Sequence, residues 1–445
     1  MLGQAPDLTR RAAMNITSPN TYPEVALIQQ RLQASKLEDL PRAVMDSLNG
    51  LPALKMTTPG DTVAVAVGSR GIKHIDTIVF HCVQFLKNNG LRPFIVPAMG
   101  SHGGATSAGQ EAVLEKFGIT ASTMGVPVCA DMDVECMGKL PDGLNIYFSK
   151  SALTADHVVV INRIKPHTKF EAEIESGICK MLTIGLGKAK GAAEFHRCAV
   201  KQSFKLIEQA AEMVLKDSGF LFGLALLEDG YGNVAHVEAV ASSALVSREK
   251  ELLEKASGMM GRIPFDFLDI LIVDFFGKDI SGIGMDPNIT GRHRDIVGDF
   301  NKPPHVKRIF VRDLSPGSGG NGNGIGLADV TTRRLVNALD IEKTYINAIT
   351  AVSPEKVSIP MHFEDDRTCL DVCFKTIGLD LMEDARMVRI KDTMSLEYLV
   401  ASRALEHEIS SDRGLKQITP WAPLMFNERG NLTESLSDPD ILHTA

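Results

Sequence analysis

"DTVAVAVGSRG", residues 61–71, alternates valine and alanine five times and then stops at glycine, serine, arginine and glycine. An apolar, β-branched run closed by glycine predicts a strand buried on both faces, the kind that makes up a parallel sheet. A helical pattern from Lys73 to Asn89 follows it. The grammar then repeats, with "RPFIVPAMGSHGG" (92–104) before the helix-like "SAGQEAVLEKFG" (107–118), and with "HVVVINRIKPHTKF" (157–170) as a third strand. Helical "KQSFKLIEQAAEMVLKDSG" (201–219) and strands near Phe222–Leu227 and Val234–Val240 complete the block.

Strands alternating with helices predict an α/β protein: two α/β domains with largely parallel sheets and an active-site cleft between them. A chain of 445 residues also exceeds what one ordinary core holds. The expected domains are 1–262 and 263–412, with a tail, 413–445, packing back on the first. Within the first, residues 1–55 read as an irregular arm with short helices around Glu24–Leu32 and Leu40–Leu48. The second block opens after a helix Val246–Gly258 and the "GRIPFD" break (261–266). It has strands at "FLDILIVDFFG" (267–277), "VKRIFVRDL" (306–314) and "ARMVRIKDT" (385–393). A long helix is expected over Leu327–Thr350, a shorter one near Arg367–Ile377, and another in "SLEYLVASRALEHEIS" (395–410).

Composition excludes more than it identifies. A net charge of −8 leaves no electrostatic footprint for nucleic acid. The N-terminal stretch has no apolar signal region and no run reaches eighteen apolar residues, so neither secretion nor a membrane span is expected. Seven cysteines at 82, 129, 136, 179, 198, 369 and 373 form no CxxC pair. That argues against a zinc ribbon or a disulfide framework and for a reducing cytoplasm.

Chemistry concentrates where the apolar strands end. Arg70 in "GSRG", His102 in "GSHGG" and His167 in "KPH" each occupy such a loop. Ligands of open α/β sheets bind outside the carboxyl ends of the strands. Arginine's planar fork suits a carboxylate or phosphate, and two histidines supply groups that exchange protons near neutral pH. A lone histidine in a loop is more often structural than catalytic; two at neighbouring strand ends beside an arginine shift that balance. His196 has no HExxH pattern or carboxylate pair around it, and makes more sense as one ligand to a metal held mostly by something else than as a zinc site. The other nine histidines are assigned to packing or surface. Lys180 is the odd residue: in "ESGICKMLTIGLGKAKGAAEFH" (175–196) it enters an apolar, glycine-rich segment rather than a solvated helix face.

Residues 166–196 resemble the core of the nickel-dependent lactate racemase family. The family pattern is a histidine, then Ser-Gly-x-x-Lys, then a histidine sixteen residues after the lysine. Ser176, Gly177, Lys180 and His196 match it in order, and the likeness spans most of residues 60–200. The resemblance implies that Lys180 carries a nickel-pincer nucleotide through a thioamide, with Ser176 and Gly177 beside it and His196 on the nickel. It implies His102 and His167 as acid/base groups and Arg70 as the substrate-carboxylate arginine. Gly185 and Gly187 would leave room for the cofactor. The implied activity is a 2-hydroxyacid racemase or epimerase with a small-molecule substrate and cofactor-maturation proteins as partners. Two departures put lactate itself in question. Val67 stands where the family has an aspartate, with Ser69 a possible replacement in the substrate contact. The His167–Lys180 interval is three residues longer and includes Glu171, Glu173 and Glu175, which read mainly as loop-solvating acids.

Lys278, Asn288, Thr290 and Arg292, in the polar loop after residue 276, are candidates to face the same cleft, Arg292 as a substrate ligand. "SPGSGGNGNGIG" (315–326) contains a formal GxGxxG and reads as a mobile loop closing over the cleft. Two rival functions remain: an NAD-dependent hydroxyacid dehydrogenase using that loop, and a metal- or ligand-binding homologue without turnover.

Overall fold

The computed structural model describes residues 22–69, 71–296 and 302–433. Two sheets organise the chain. The smaller runs in the order 92–97, 62–67, 157–163, 220–228, 234–241, all parallel except the last strand. Residues 63–67 of its second strand, an interior one, are buried on both faces, as their uninterrupted apolar character requires. Helices cover it on both sides, among them Ile75–Asn88, Lys188–Gln202, Leu206–Asp217 and Leu245–Met259.

The larger sheet has nine strands. Met361–Phe363, Val330–Thr332, His305–Leu314, Phe267–Phe276 and Met387–Asp392 are parallel. Ser395–Ser402 and Glu24–Gln30 then continue it antiparallel. The α/β class with two mixed, largely parallel sheets is as expected.

Several element assignments differ from the sequence reading. Glu24–Gln30 is a strand inside the larger sheet and not a helix: Val25 to Ile28 are all buried, and neighbours pair on both sides. Short apolar runs of this kind do not separate strand from helix by periodicity. From the tail, Leu415–Gln417 and Ala422–Pro423 pair with that same strand, which lies within residues 1–262. Val330–Thr332 is a strand where one long helix was expected; three β-branched residues favour it. Asp340 then caps a separate helix, Ile341–Thr350, by accepting the Lys343 N–H at 2.9 Å. Residues 395–402 extend as a strand, and a 3₁₀ turn, Arg403–Leu405, leads into the short helix Glu406–Ser411. An antiparallel hairpin, 134–139 with 145–149, was not anticipated, although "PDG" at 141–143 is a turn signal.

The glycine-rich segment 315–326 is packed, not loose. Residues 321–328 are buried, Gly322 N–H donates to Thr344 Oγ1 at 2.9 Å and Gly324 N–H to the Lys356 carbonyl at 2.9 Å. It leads through short 3₁₀ turns into a strand, whereas a dinucleotide fingerprint turns from strand directly into helix. Among the described residues no helix is long and apolar enough to cross a membrane.

Candidate active site

Val67 pairs with both Pro97 and Ile161, so strands 62–67 and 92–97 end level and strand 157–163 runs on to Arg163. Their loops therefore leave the same edge side by side, with the 68–71 loop between the other two. Adjacent strands lie about 4.8 Å apart, so groups on the two outer loops start roughly 10 Å apart.

The outer loop after 157–163 is closed on itself. Lys165 N–H donates to the Ser176 carbonyl at 2.9 Å, and Ser176 N–H returns to the Lys165 carbonyl at 3.3 Å. Inside it Glu175 accepts the backbone N–H of His167, and that of Ala172 at 3.2 Å. Burial is the largest influence on Glu175 and pushes its carboxyl above the usual range. Glu171 and Glu173 point outward to Lys302 and Lys250. Of the three acids, only Glu175 builds the loop.

After Ser176 the chain enters the helical segment that carries Lys180. Its first N–H groups, of Ile178 and Cys179, donate to Glu249 Oε2 at 2.9 and 3.0 Å. A Cβ on Gly177 would sit 2.1 Å from Glu249 Oε1, so this cap exists only because residue 177 is glycine. Burial raises the Glu249 carboxyl to about 7, and the N–H bonds pull it the other way. Nothing in the charged run "SREKELLEK" (247–255) marks Glu249 as internal; it looks like a solvated helix face.

Lys180 Nζ meets His167 Nε2 at 2.5 Å. The His167 ring stacks on Phe170 at 4.3 Å, and Phe170 stacks on Phe204 at 4.1 Å. His196 sets its edge against Phe204 at 5.8 Å. Its Nδ1 is buried without a hydrogen-bond partner. Burial, then Lys169 and Lys180, push His196 down to about 3. Burial, then Lys180, hold His167 well below the ordinary histidine value. Burial thus disfavours the charged form of both rings.

The larger unit meets this loop from the other side. Asn288 Nδ2 donates to the His167 carbonyl at 3.2 Å, and Lys165 pairs with Asp286 at 3.2 Å. Lys169 Nζ reaches the Ala351 carbonyl at 2.5 Å and lies 3.6 Å from Asp295, which also takes Lys356 at 2.5 Å.

His102, on the opposite outer loop, is hydrogen-bonded through Nδ1 to Ser69 Oγ. Its loop is tied to the lysine segment: Gly100 N–H donates to the Gly185 carbonyl at 3.0 Å. A Cβ on Gly185 would lie 2.8 Å from the Ala98 carbonyl oxygen. The glycine expected to make room for a cofactor is thus occupied by backbone. Gln110, fully buried, donates to the Gly100 carbonyl at 2.8 Å. Lys188, 0% exposed, donates to the Pro97 carbonyl at 2.8 Å and to Gln110 Oε1 at 3.3 Å. Burial lowers its amine to about 8. Gln110 and Lys188 were not singled out from sequence, although Lys188 shares with Lys180 the oddity of a cation inside an apolar, glycine-rich stretch.

The structure thus gathers His167, Lys180 and His196 around one aromatic stack, with Ser176 and Gly177 at the base of the lysine segment. It pairs His102 with Ser69 on the adjoining loop. Arg70 lies outside the described residues. Arg292 is bound to Asp329 and to the Val306 and Lys307 carbonyls, at 2.6 and 3.1 Å for the latter two, contacts that fix its own loop to strand 305–314. Lys278 Nζ donates to the Gly282 carbonyl at 2.7 Å, and Thr290 is fully buried.

Among the described residues no group of three or more histidines, cysteines or carboxylates is placed to hold a metal. The buried Nδ1 of His196, without a hydrogen-bond partner, has the chemistry to give a single bond to a metal.

The family model of the lactate racemase N-terminal domain matches residues 12–205, the segment that holds all of these groups except Glu249 and the residues of the larger unit. No curated protein matches the chain. Among solved structures the chain is similar to the lactate racemase apoprotein from Thermoanaerobacterium thermosaccharolyticum, at 14% identity and a TM-score of 0.49. That match covers 84% of this chain and 99% of the other.

Proposed function

We propose that this protein is a cytoplasmic racemase or C2-epimerase of a 2-hydroxy acid, working with a nickel-pincer nucleotide tethered to Lys180. His196 would be the protein's ligand to nickel, and cofactor-maturation proteins its partners. Held by Lys180, with His196 on the nickel, the group would supply reversible hydride acceptance at C2. The chain's own residues do the rest. Arg70 anchors the substrate carboxylate from the central loop. His102 and His167, on the loops either side, handle the hydroxyl proton from opposite directions, and inversion needs a base on each side. Ser69 orients the His102 ring. Burial keeps His167 neutral, the form that accepts a proton. A shared pocket for substrate at the junction of the two units completes the reading.

One observation carries it: an amine in contact with a buried histidine, across an aromatic stack from a second buried histidine whose Nδ1 has no partner.

The test is chiral analysis of single enantiomers of several 2-hydroxy acids, incubated with protein from a host that makes the cofactor. Each enantiomer of the right acid should yield its mirror image or epimer with no net oxidation. His102→Ala should slow this by about 10²–10⁴-fold. Net formation of keto acid with NAD reduction would instead support a dehydrogenase.

A further inference from the structure

We propose that Lys188 is a positioning residue for His102: acting through Gln110, it locks the His102 loop to the segment that carries Lys180. The inference rests on the proposed role of His102 as a base and adds what holds that base in place.

Nothing local explains a buried amine at this position. In "GLGKAKG" (185–191) two lysines stand two residues apart, and Lys190 lies exposed over the Tyr147 ring. Lys188 is instead 0% exposed, with a left-handed backbone at φ 52°. Glycine would relieve that backbone, and methionine would suit that burial better. Both acceptors of the amine are neutral, the Pro97 carbonyl at 2.8 Å and Gln110 Oε1 at 3.3 Å. Burial lowers the amine to about 8, with Asp131 acting the other way, so at pH 7 it is still mostly an ammonium. A strained, buried cation held by two neutral oxygens points to a local task.

The task follows from what its partners hold. Pro97 ends strand 92–97, and its carbonyl is the last before the loop. Gln110, also fully buried, gives its Nε2 protons to the Gly100 carbonyl at 2.8 Å and the His102 carbonyl at 3.4 Å. A cation on the oxygen of the same carboxamide polarises it and strengthens both N–H bonds. Gly100 N–H in turn donates to the Gly185 carbonyl at 3.0 Å. The helix carrying Gln110 is seated on this loop, since a Cβ on Gly109 would lie 1.8 Å from the Gly103 carbonyl oxygen. Residues 97–102 are thus stitched to 185–188 at two points, with Gln110 between them. Lys180 lies in the helical run that ends at Gly185, so the stitch sets where His102 stands relative to Lys180. A misplacement of about 1 Å at a reacting group costs on the order of a hundredfold in rate.

The experiment compares wild type, Lys188→Met, Gln110→Glu, His102→Ala and the double variant of Lys188→Met with His102→Ala. Gln110→Glu keeps an acceptor for Lys188 and removes both N–H donors, so it separates a hold on the loop from mere filling of the core. Turnover is measured on protein from a cofactor-producing host, with single enantiomers of lactate, 2-hydroxybutyrate and malate. Lys188→Met and Gln110→Glu should each lower kcat about tenfold to a hundredfold, with KM within about threefold. On the His102→Ala background, Lys188→Met should cost less than about twofold more, because the residue it positions is gone. Hydrogen exchange, on protein from a host without the cofactor, should run about tenfold faster at the 98–103 amides of both single variants, with strand 62–67 unchanged. The proposal is overturned if exchange of the loop is unchanged, if the loss lies in KM, or if it adds in full to that of His102→Ala. A His102→Ala that racemises as fast as wild type defeats the proposed role of His102 instead. Should wild type turn over none of these acids, the exchange result alone sustains or overturns the hold of Lys188 on the loop.

Discussion

Both sheets gather buried charge at one end, and they treat it differently. In the larger, Asp274 takes Arg389 through two bonds of 2.8 and 2.9 Å and Arg312 at 2.8 Å. Arg312 continues to Asp366 at 2.7 Å, and Asp366 to Arg334 at 2.6 Å. Cations and carboxylates alternate there, and each arginine stays charged. In the smaller, the buried groups are mainly bases. His167 and His196 meet each other's aromatic stack, and Lys188 meets a carbonyl and an amide oxygen. Burial drives them toward neutrality: His196 to about 3, Lys169 and Lys188 to about 8. Alternating charge fixes a structure, whereas a neutral base has a lone pair to use.

The sharpest way to break this contrast is to remove Asp274. Asp274→Ala leaves two buried arginines facing one fewer carboxylate and should cost about 3–5 kcal/mol in urea unfolding. A loss under 1 kcal/mol would mean that the alternating network is not what holds the larger sheet.

Glu249 tests the smaller unit next. Its carboxyl is raised to about 7, so its protonated form favours the folded state. That contribution is fully present below the unfolded value near 4.5 and is lost as pH rises toward 7. The full swing is on the order of 3 kcal/mol. Glu249→Gln should flatten stability against pH over that window, measured by denaturant midpoints at each pH. An unchanged slope would show that Glu249 is not the titrating group.

The smallest effect belongs to Glu173. It is exposed and pairs with Lys250 at 2.6 Å, so Glu173→Gln should leave Tm within about one degree and substrate preference unaltered. A changed preference would move this acid into the substrate's reach.

Much of the smaller unit was legible because its signals are local. Uninterrupted apolar runs ending at glycine located the parallel strands, and those ends carried His102 and His167. Lys180 stood out as a cation entering an apolar, glycine-rich run, and its role was implied by the resemblance to the lactate racemase family. What stayed hidden depends on distant partners. Glu249 caps a helix some seventy residues earlier in the chain, and only the tertiary fold turns it inward. Asp295 and Lys356 reach His167's loop from the other unit. Strand 24–30 takes its identity from pairing with 395–402 and 415–417, at the far end of the chain. The pairing of Arg292 with Asp329 was hidden for the same reason, because nothing nearby in sequence announces Asp329.

The central claim is that Lys180 anchors a cofactor and His196 binds its metal. The measurement is intact mass and nickel content of wild type, Lys180→Arg and His196→Ala, each made in a cofactor-producing host. Arginine keeps the charge and most of the length of lysine but cannot form the amine-derived link. The account predicts an adduct with nickel on wild type, neither on Lys180→Arg, and an adduct without nickel on His196→Ala. An adduct that survives Lys180→Arg, or a wild type that never acquires one, would contradict it.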